Sequence, residues 1–181
     1  MRKVVAALAV SLDGVVESPE RWQRRYFDPE MAEIIWEAAE RSDAMLLGRR
    51  TYEELAEFWP RQRNGLPMSD YMNRTPKHVV STTLDTFDWE NSSLVTGDVR
   101  EQVAELKRQP GKNIQVNGSP TLVRFLLREG LLDDLVLLVH PVVVGSGRRL
   151  FENGDSTTEL RLVESRILAS GVLSLTYAPA A

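Results

Sequence analysis

The stretch Ala44-Met45-Leu46-Leu47-Gly48-Arg49-Arg50-Thr51 decides the fold that we predict for this chain. Ala44–Gly48 is a short apolar run typical of a buried strand, and a helical pattern over Thr51–Phe58 follows almost at once. The same order returns in Val116-Asn117-Gly118-Ser119-Pro120-Thr121, where a strand-like segment meets a helix opened by serine and proline. Strands separated by helices are generally parallel, because the crossover consumes the helix. The two stretches therefore predict strand-to-helix turns at the carboxyl edge of one α/β sheet.

Outward from these turns, short β-type runs alternate with helical patterns along most of the chain. The predicted strands are Lys3–Val10, Ala44–Gly48, His78–Thr82, Leu94–Gly97, Ile114–Val116, Leu135–Val144, Leu160–Leu168 and Val172–Ala178. The predicted helices begin at Asp28-Pro29, Thr51, Asp98 and Ser119-Pro120. The last two strands, joined across Ala169-Ser170-Gly171, predict a hairpin, whereas residues 61–76 are polar, lack a period and predict a loop.

The expected architecture is an α/β fold with about eight strands in a mixed, mostly parallel sheet, about four flanking helices and a C-terminal antiparallel hairpin. Its 181 residues fit a single domain over 1–181. The absence of cysteine excludes thiol nucleophiles, disulfides and Cys-based metal sites, and the only histidines, His78 and His140, argue against a histidine metal site. A net charge of −4 argues against a nucleic-acid partner. No apolar run reaches the roughly 18–20 residues of a membrane span, so we expect a soluble, cytoplasmic protein.

The two strand-to-helix turns are candidate anion sites. A helix N-terminus presents unpaired N–H groups and about half a positive charge. Gly48 allows a ligand to approach the backbone closely, and Arg49 and Arg50 add charge. Each motif is weak by itself, because such turns are common and paired arginines at a helix start are usually solvated. Neither matches G-x-G-x-x-G or G-x-x-x-x-G-K-[ST], so the pattern supports neither a Rossmann fingerprint nor a P-loop.

The order of motifs resembles the dihydrofolate-reductase-like superfamily, and within it the reductase domain at the C-terminus of the bifunctional riboflavin-biosynthesis protein. The matching pieces are Ser11-Leu12-Asp13-Gly14, Leu47–Tyr52, Val80-Ser81-Thr82, Asn117–Leu122, Gly130–Leu135 and Val144–Phe151. The most specific piece is the last, with Gly145-Ser146-Gly147-Arg148-Arg149-Leu150-Phe151 after an apolar strand. The resemblance, which spans about residues 3 to 178, implies an eight-stranded sheet with NADPH lying across the carboxyl ends of its strands.

The resemblance also implies, position by position, which residues bind the cofactor. Gly48, Arg49, Arg50 and Thr51 would hold the pyrophosphate and adenosine side, and Ser81 and Thr82 would lie near the adenosine 2′-phosphate. Asn117, Gly118, Ser119, Thr121 and Leu122 would cover the nicotinamide end of the pyrophosphate, and Ala7 would lie against the carboxamide. NADP is preferred to NAD because an extra phosphate dianion favours arginine and hydroxyl donors.

The sequence departs from the folate reductases at two positions. Those enzymes commonly carry a Gly-Gly pair at the strand end, where this chain has Asn117-Gly118. Their folate-anchoring carboxylate falls on Ala32 here, while the neighbouring Glu33 is turned about 100° around the helix. True dihydrofolate reduction is therefore disfavoured and the substrate stays open. Glu33 and Trp22, which lies in the aromatic and basic segment 17–28, are our candidate substrate contacts.

Asp13 is the candidate catalytic residue, with two interpretations left open. Asp13-Gly14 is a strong turn signal, so the pair forms either a turn and nothing more, or a loop in which Asp13 contacts substrate or cofactor, as the related position does in riboflavin-pathway reductases.

The leading functional hypothesis is an NADPH-dependent reductase of a small pteridine- or pyrimidine-like heterocycle. The alternatives are the riboflavin-pathway reductase of 5-amino-6-ribosylaminouracil phosphate, and a non-catalytic NADP(H)-binding protein. The resemblance implies a homodimer, for which the apolar segment Leu131–Val144 and the hairpin would supply the interface.

Overall fold

Eight strands form one mixed sheet in the computed structural model, which describes residues 1–62 and 65–180. They are β1 (Val4–Ser11), β2 (Ser42–Gly48), β3 (Lys77–Val80), β4 (Ser92–Val95), β5 (Asn113–Val116), β6 (Asp134–His140), β7 (Leu160–Ile167) and β8 (Leu173–Pro179). The strand order is β4-β3-β2-β5-β1-β6-β8-β7. The first six strands pair in parallel, and β8 is antiparallel to both β6 and β7. The predicted α/β architecture with its C-terminal hairpin is confirmed.

The helices are α1 (Pro29–Glu40), α2 (Arg49–Phe58), α3 (Pro67–Arg74), α4 (Val99–Arg108) and α5 (Pro120–Arg128), with short 3₁₀ turns at Pro19–Arg21, Arg24–Tyr26 and Trp59–Arg61. At the predicted starts of α1, α4 and α5, the side chains of Asp28, Asp98 and Ser119 accept hydrogen bonds from backbone N–H groups of the first turn. These three helix starts are therefore explained by local sequence.

Helix α3 corrects the prediction of about four helices, since the described residues form five. It lies within residues 61–76, which we predicted as a loop, and Arg63 and Asn64 of that stretch lie outside the described residues. Two of its three buried residues, Ser69 and Asn73, are polar, and its apolar residues Met68, Tyr71 and Met72 span little more than one turn, too short a pattern to indicate a helix. The Asn73 amide donates to the carbonyl oxygens of Trp59 and Ser69, and its Oδ1 accepts from Nε1 of Trp89 at 2.8 Å. These polar contacts and the packing of Met72 hold the helix in place.

The two faces of the sheet have different roles. Even-numbered residues of β1, including Val4, Ala6 and Leu8, are buried in a core that α4 and α5 complete on one face. The odd-numbered Val5 and Ala7 face a cavity between the sheet and helices α1 and α3. None of the helices in the described ranges is long and apolar enough to cross a membrane.

Candidate functional site

The two strand-to-helix turns contact each other at the carboxyl edge of the sheet. The backbone N–H of Gly48 donates to the carbonyl oxygen of Gly118 at 3.4 Å. A Cβ atom at Gly48 would lie 2.5 Å from Oγ of Ser119, and one at Gly118 would lie 2.9 Å from Oγ1 of Thr51. Gly118 also has a φ of 125°, which side chains other than glycine rarely allow. A side chain at either position would therefore displace a neighbour, and at Gly118 it would also strain the backbone.

A cavity of about 260 Å³ opens beside these turns. Five of the predicted cofactor residues line it together with three apolar side chains: Gly48, Arg49, Ser119, Thr121 and Leu122, with Val80, Val99 and Phe125. Helix α2 begins here after Gly48, with no side chain capping its first turn. Uncapped N–H groups at the positive end of a helix suit a phosphate, so the residues present fit a dinucleotide pyrophosphate.

The remaining predicted cofactor residues lie along the same edge. Arg49 pairs with Glu53 one turn along α2 at 3.0 Å, and both groups are partly exposed. Such an exposed pair is weak, so the Arg49 guanidinium can exchange that partner for a phosphate. Arg50 is exposed on the first turn of α2. Ser81, whose Oγ accepts from the N–H groups of Thr83 and Leu84, follows β3 directly and is adjacent to exposed Thr82.

A second cavity, of about 1070 Å³, lies between the sheet and helices α1 and α3. Ala7, midway along β1, and Asn117, directly after β5, line it. Ala32 of α1 is in its wall, while Glu33 is exposed and is not among the lining residues. The position to which the sequence comparison assigned the folate-anchoring carboxylate therefore lines the cavity with an alanine, and the structure does not bring the predicted Glu33 contact to this cavity.

Trp22, the other predicted substrate contact, packs on a histidine rather than lining the cavity. The rings of Trp22 and Tyr26 meet the buried imidazole of His140 edge-to-face, with centroids 5.3 and 5.7 Å away. Burial lowers the pKa of His140. Neighbouring residues Gln23 and Phe27 line the cavity, so Trp22 anchors a segment that forms part of the wall.

The carboxylate of Asp13 is fully engaged with the protein. It accepts from Oγ of Ser11 at 2.7 Å and from the backbone N–H groups of Val144 and Gly145 at 3.0 and 2.8 Å. These hydrogen bonds, that from Ser11 foremost, hold the pKa of Asp13 well below its usual range. Nε of Arg149 also donates to its carbonyl oxygen at 2.8 Å. Both carboxylate oxygens thus bind within the turn and to the segment after β6, and this geometry favours the turn interpretation over a contact with substrate or cofactor.

Sequence reasoning missed a chain of polar side chains in the wall of the larger cavity. The Tyr71 hydroxyl donates to Oε1 of Gln115 at 3.1 Å, and Nε2 of Gln115 donates to Oδ1 of Asn117 at 2.8 Å. The alternation of polar Gln115 and Asn117 with apolar Ile114 and Val116 was a usable signal for a polar strand face. Tyr71 had no such signal, because it lies on the helix that the sequence did not predict.

Comparisons with known proteins agree with this architecture. The family model described as the RibD C-terminal domain matches residues 2–174. The uncharacterized proteins YyaP and YwjB of Bacillus subtilis (strain 168) are 28% and 30% identical to this chain; the alignments cover 97% of this chain and 94% of YyaP, and 89% of this chain and of YwjB.

Among solved structures, a Shewanella sp. PV-4 protein provisionally assigned to riboflavin biosynthesis has a TM-score of 0.80 at 22% identity, covering 99% of both chains. Dihydrofolate reductase of Enterococcus faecalis, complexed with NADP(H), has a TM-score of 0.67 at 16% identity, covering 99% of this chain and 97% of that one. Both structures share its dihydrofolate-reductase-like fold.

Proposed function

The chain belongs to the RibD C-terminal domain family, and we propose that it is an NADPH-dependent reductase that delivers a hydride to a small pteridine- or pyrimidine-like heterocycle. The observation that carries this proposal is the contact between the Gly48 and Gly118 turns, which has a phosphate-sized cavity beside it, while Asn117, directly before Gly118, lines a larger cavity along the sheet. A small and a large cavity near one turn match a two-part ligand set, a dinucleotide and a flat ring.

The cofactor-binding side of this proposal rests on backbone donors and arginines. The first turn of α2 and the guanidinium groups of Arg49 and Arg50 hold the pyrophosphate, and the hydroxyl groups of Ser81 and Thr82 bind the 2′-phosphate. When bound, NADPH supplies the hydride. The small side chain of Ala7 leaves room for a flat ring against β1 in the larger cavity. The NADP(H) complex of the Enterococcus faecalis relative supports this choice of cofactor.

Removing both arginines of the α2 start tests the cofactor assignment. We expect the Arg49→Ala/Arg50→Ala variant to bind NADPH about 100-fold more weakly, since two lost charge-assisted bonds cost roughly 1.5 kcal/mol each. Calorimetric titration at two salt concentrations measures it, with a smaller salt dependence expected for the variant. Arg108→Ala, which removes an exposed arginine from the end of α4, is the control and should leave the Kd unchanged. Equal NADPH affinity in the double variant and the parent would contradict the assignment.

Two other functions compete with this one. Reduction of 5-amino-6-ribosylaminouracil phosphate is supported by the riboflavin assignment of the Shewanella relative, and failure to rescue a strain lacking that reductase would remove it. A non-catalytic NADP(H)-binding role is supported by Ala32, which leaves that position of the cavity wall without an acid. Tight NADPH binding with no transfer of deuterium from labelled NADPH to any of a panel of heterocycles would favour the binding role.

The uncovered face of the C-terminal strands supports a homodimer. Leu162 and Ile167 of β7 are 49% and 82% exposed, and their register places them beside Tyr177 and Leu173 of β8 on the face that is opposite the large cavity. A row of apolar side chains along a sheet edge is typical of an interface between two copies. Light scattering of the purified chain tests this part of the proposal.

A further inference from the structure

We propose that Asn117 selects the substrate, by donating a hydrogen bond from its side-chain amide to a ring carbonyl of the heterocycle, and that Tyr71 and Gln115 fix the direction of that amide. This inference rests on the proposed function for the existence of a heterocyclic substrate. It moves Asn117 from the cofactor-binding set, where the sequence resemblance put it, to the substrate side of the site.

The position of Asn117 supports the substrate side. Val5 pairs with Gln115 and Ala6 with Val116. By the same register, Asn117, the residue after β5, lies beside Ala7. Asn117, Gln115 and Ala7 all line the larger cavity. The smaller cavity is lined instead by Ser119 and Thr121, which come after the Gly118 turn. The turn thus separates Asn117 from the phosphate-binding compartment.

The direction of the amide follows from the hydrogen bonds that lead to it. Burial raises the pKa of Tyr71 to about 12, so its hydroxyl keeps its proton and can donate to Oε1 of Gln115. Gln115 is only 8% exposed, and with its oxygen occupied its Nε2 donates to Oδ1 of Asn117. The oxygen of Asn117 is then used inside the protein. Its Nδ2 has no hydrogen-bond partner in the described part of the chain and keeps two N–H donors for a ligand.

Unpaired donors at a cavity wall favour one kind of ligand edge. A ring carbonyl accepts from Nδ2, whereas an exocyclic amine at the same place would bring two donors together and leave both unsatisfied. The other lining groups do not offset this preference. The carboxylates of Glu37, Asp134 and Glu164 that line the cavity all have cationic partners, and Ala32 offers none. The site is therefore built for an oxo-heterocycle, such as a pyrimidinedione, rather than for a protonated diamino ring.

The test uses two rings that carry the same amines at C5 and C6. 5,6-Diaminouracil has carbonyls at C2 and C4, with N–H groups on its ring nitrogens, where 2,4,5,6-tetraaminopyrimidine has amines and unprotonated ring nitrogens. We expect calorimetric titration of the NADPH-saturated parent to show at least tenfold tighter binding of the diaminouracil. Asn117→Asp replaces the donor with an acceptor of the same shape, and we expect it to invert that preference while the Kd for NADPH stays within twofold of the parent's.

Two further variants separate recognition from a general disturbance. Asn113→Asp makes the same change at the other end of β5 in the same cavity, and it should leave the preference as in the parent. Gln115→Met keeps the size of the side chain but removes both hydrogen bonds to its neighbours. Because Asn117 can then present either end of its amide, we expect discrimination between the rings to fall below threefold, with the fold verified by an unchanged far-ultraviolet circular dichroism spectrum.

The outcomes distinguish this inference from the function on which it rests. If the parent binds the rings without discrimination, or if Asn117→Asp leaves the preference uninverted or weakens NADPH binding tenfold, the inference is wrong and the reductase proposal stands. If neither ring binds and no heterocycle of the panel accepts deuterium from labelled NADPH, the proposed function falls and the inference falls with it.

Discussion

The amino and carboxyl edges of the sheet differ in whether their polar groups already have partners within the protein. At the amino edge, buried cations meet partners: Lys107 donates from Nζ to Asp133 at 2.6 Å and to the carbonyl oxygen of Leu131 at 3.0 Å, and Arg2 pairs with Asp43. At the carboxyl edge, glycine turns and an uncapped helix start leave backbone donors beside two cavities. Buried groups that already have partners are not available to a ligand, whereas unpaired donors are. We infer that stability is concentrated at one edge and ligand binding at the other.

Among the changes that test this comparison, breaking the Lys107–Asp133 pair should have the largest effect, on the free energy of unfolding. Asp133 also accepts from the N–H of Val4 at 2.7 Å, so it joins the end of α4 to the starts of β1 and β6. Asp133→Asn keeps the shape but leaves the Lys107 ammonium, whose side chain is 10% exposed, without its counter-charge. We expect the free energy of unfolding to fall by about 3 kcal/mol, as for other broken buried pairs. Urea unfolding measures it.

The control for Asp133→Asn is an exposed pair on the same helix. Glu105→Gln removes the partner of Arg108, where both side chains are more than half exposed, and should cost less than about 0.5 kcal/mol. NADPH affinity should be unchanged in both variants, because each lies at the edge away from the proposed site. A tenfold loss of NADPH affinity in Asp133→Asn would contradict the inference that stability and ligand binding are concentrated at different edges.

Lys77, a buried cation at the amino end of β3, should make the free energy of unfolding depend on pH. It is fully buried, donates to the carbonyl oxygens of Asn73 and Glu90, and lies 4.1 Å from the centre of the Trp89 ring. Burial lowers its pKa to about 8. Between that pH and its ordinary pKa near 10.5, the unfolded chain binds a proton that the folded protein releases, so the free energy of unfolding rises with pH.

The size of this change in stability follows from the lowered pKa of Lys77. Between pH 8 and pH 10 the parent should gain about 2 kcal/mol of stability relative to Lys77→Met, which cannot titrate. Urea unfolding of both proteins at the two pH values gives the difference, and titration of other groups cancels. Identical pH dependence in the two proteins would mean that Lys77 has an ordinary pKa.

The two edges also differ in how far the sequence predicts them. The carboxyl edge was predicted because local rules govern it: Gly48 before a helix, and Ser119-Pro120 at a helix start, each indicate a turn without reference to the rest of the chain. The amino edge was not predicted, because its partners come from distant segments of the chain. In the sequence alone, the cations at this edge look like ordinary solvated residues: Arg2, Lys77 and Lys107. Asp133 is 26 residues from Lys107, and no periodicity links them.

The same distinction divides the candidate site. The proposed phosphate-binding side consists largely of backbone at two glycine turns, so its residues could be carried over from motifs. The proposed ring-binding side includes side chains from β5 and α3, and α3 was missed because it is short and two of its three buried residues, Ser69 and Asn73, are polar. Glu33 and Trp22 were chosen by proximity in sequence, which does not determine which way a helical side chain points.

The smallest expected effect tests whether the contact between the two turns belongs to the cofactor site. Gly48 has a φ of −76°, which any residue adopts, so Gly48→Ala adds only the clash of its Cβ with Oγ of Ser119. Because that oxygen caps α5 through the N–H of Leu122, the cap must yield. We expect the Kd for NADPH to rise about tenfold, roughly 1.4 kcal/mol, and the free energy of unfolding to fall by about 1 kcal/mol, the usual cost of a lost N-cap.

A second substitution separates the clash from other consequences of Gly48→Ala. Ser119→Gly removes the side chain that the new Cβ meets, and glycine as an N-cap costs only a few tenths of a kcal/mol. The double variant Gly48→Ala/Ser119→Gly should therefore regain most of the NADPH affinity, measured by the same titration. The Ser119→Gly single variant is the control, since it removes the same side chain without adding a Cβ at Gly48. If the Gly48→Ala single variant bound NADPH like the parent, the meeting of the two turns would be a packing feature of the carboxyl edge, and unpaired donors elsewhere on that edge would have to account for binding.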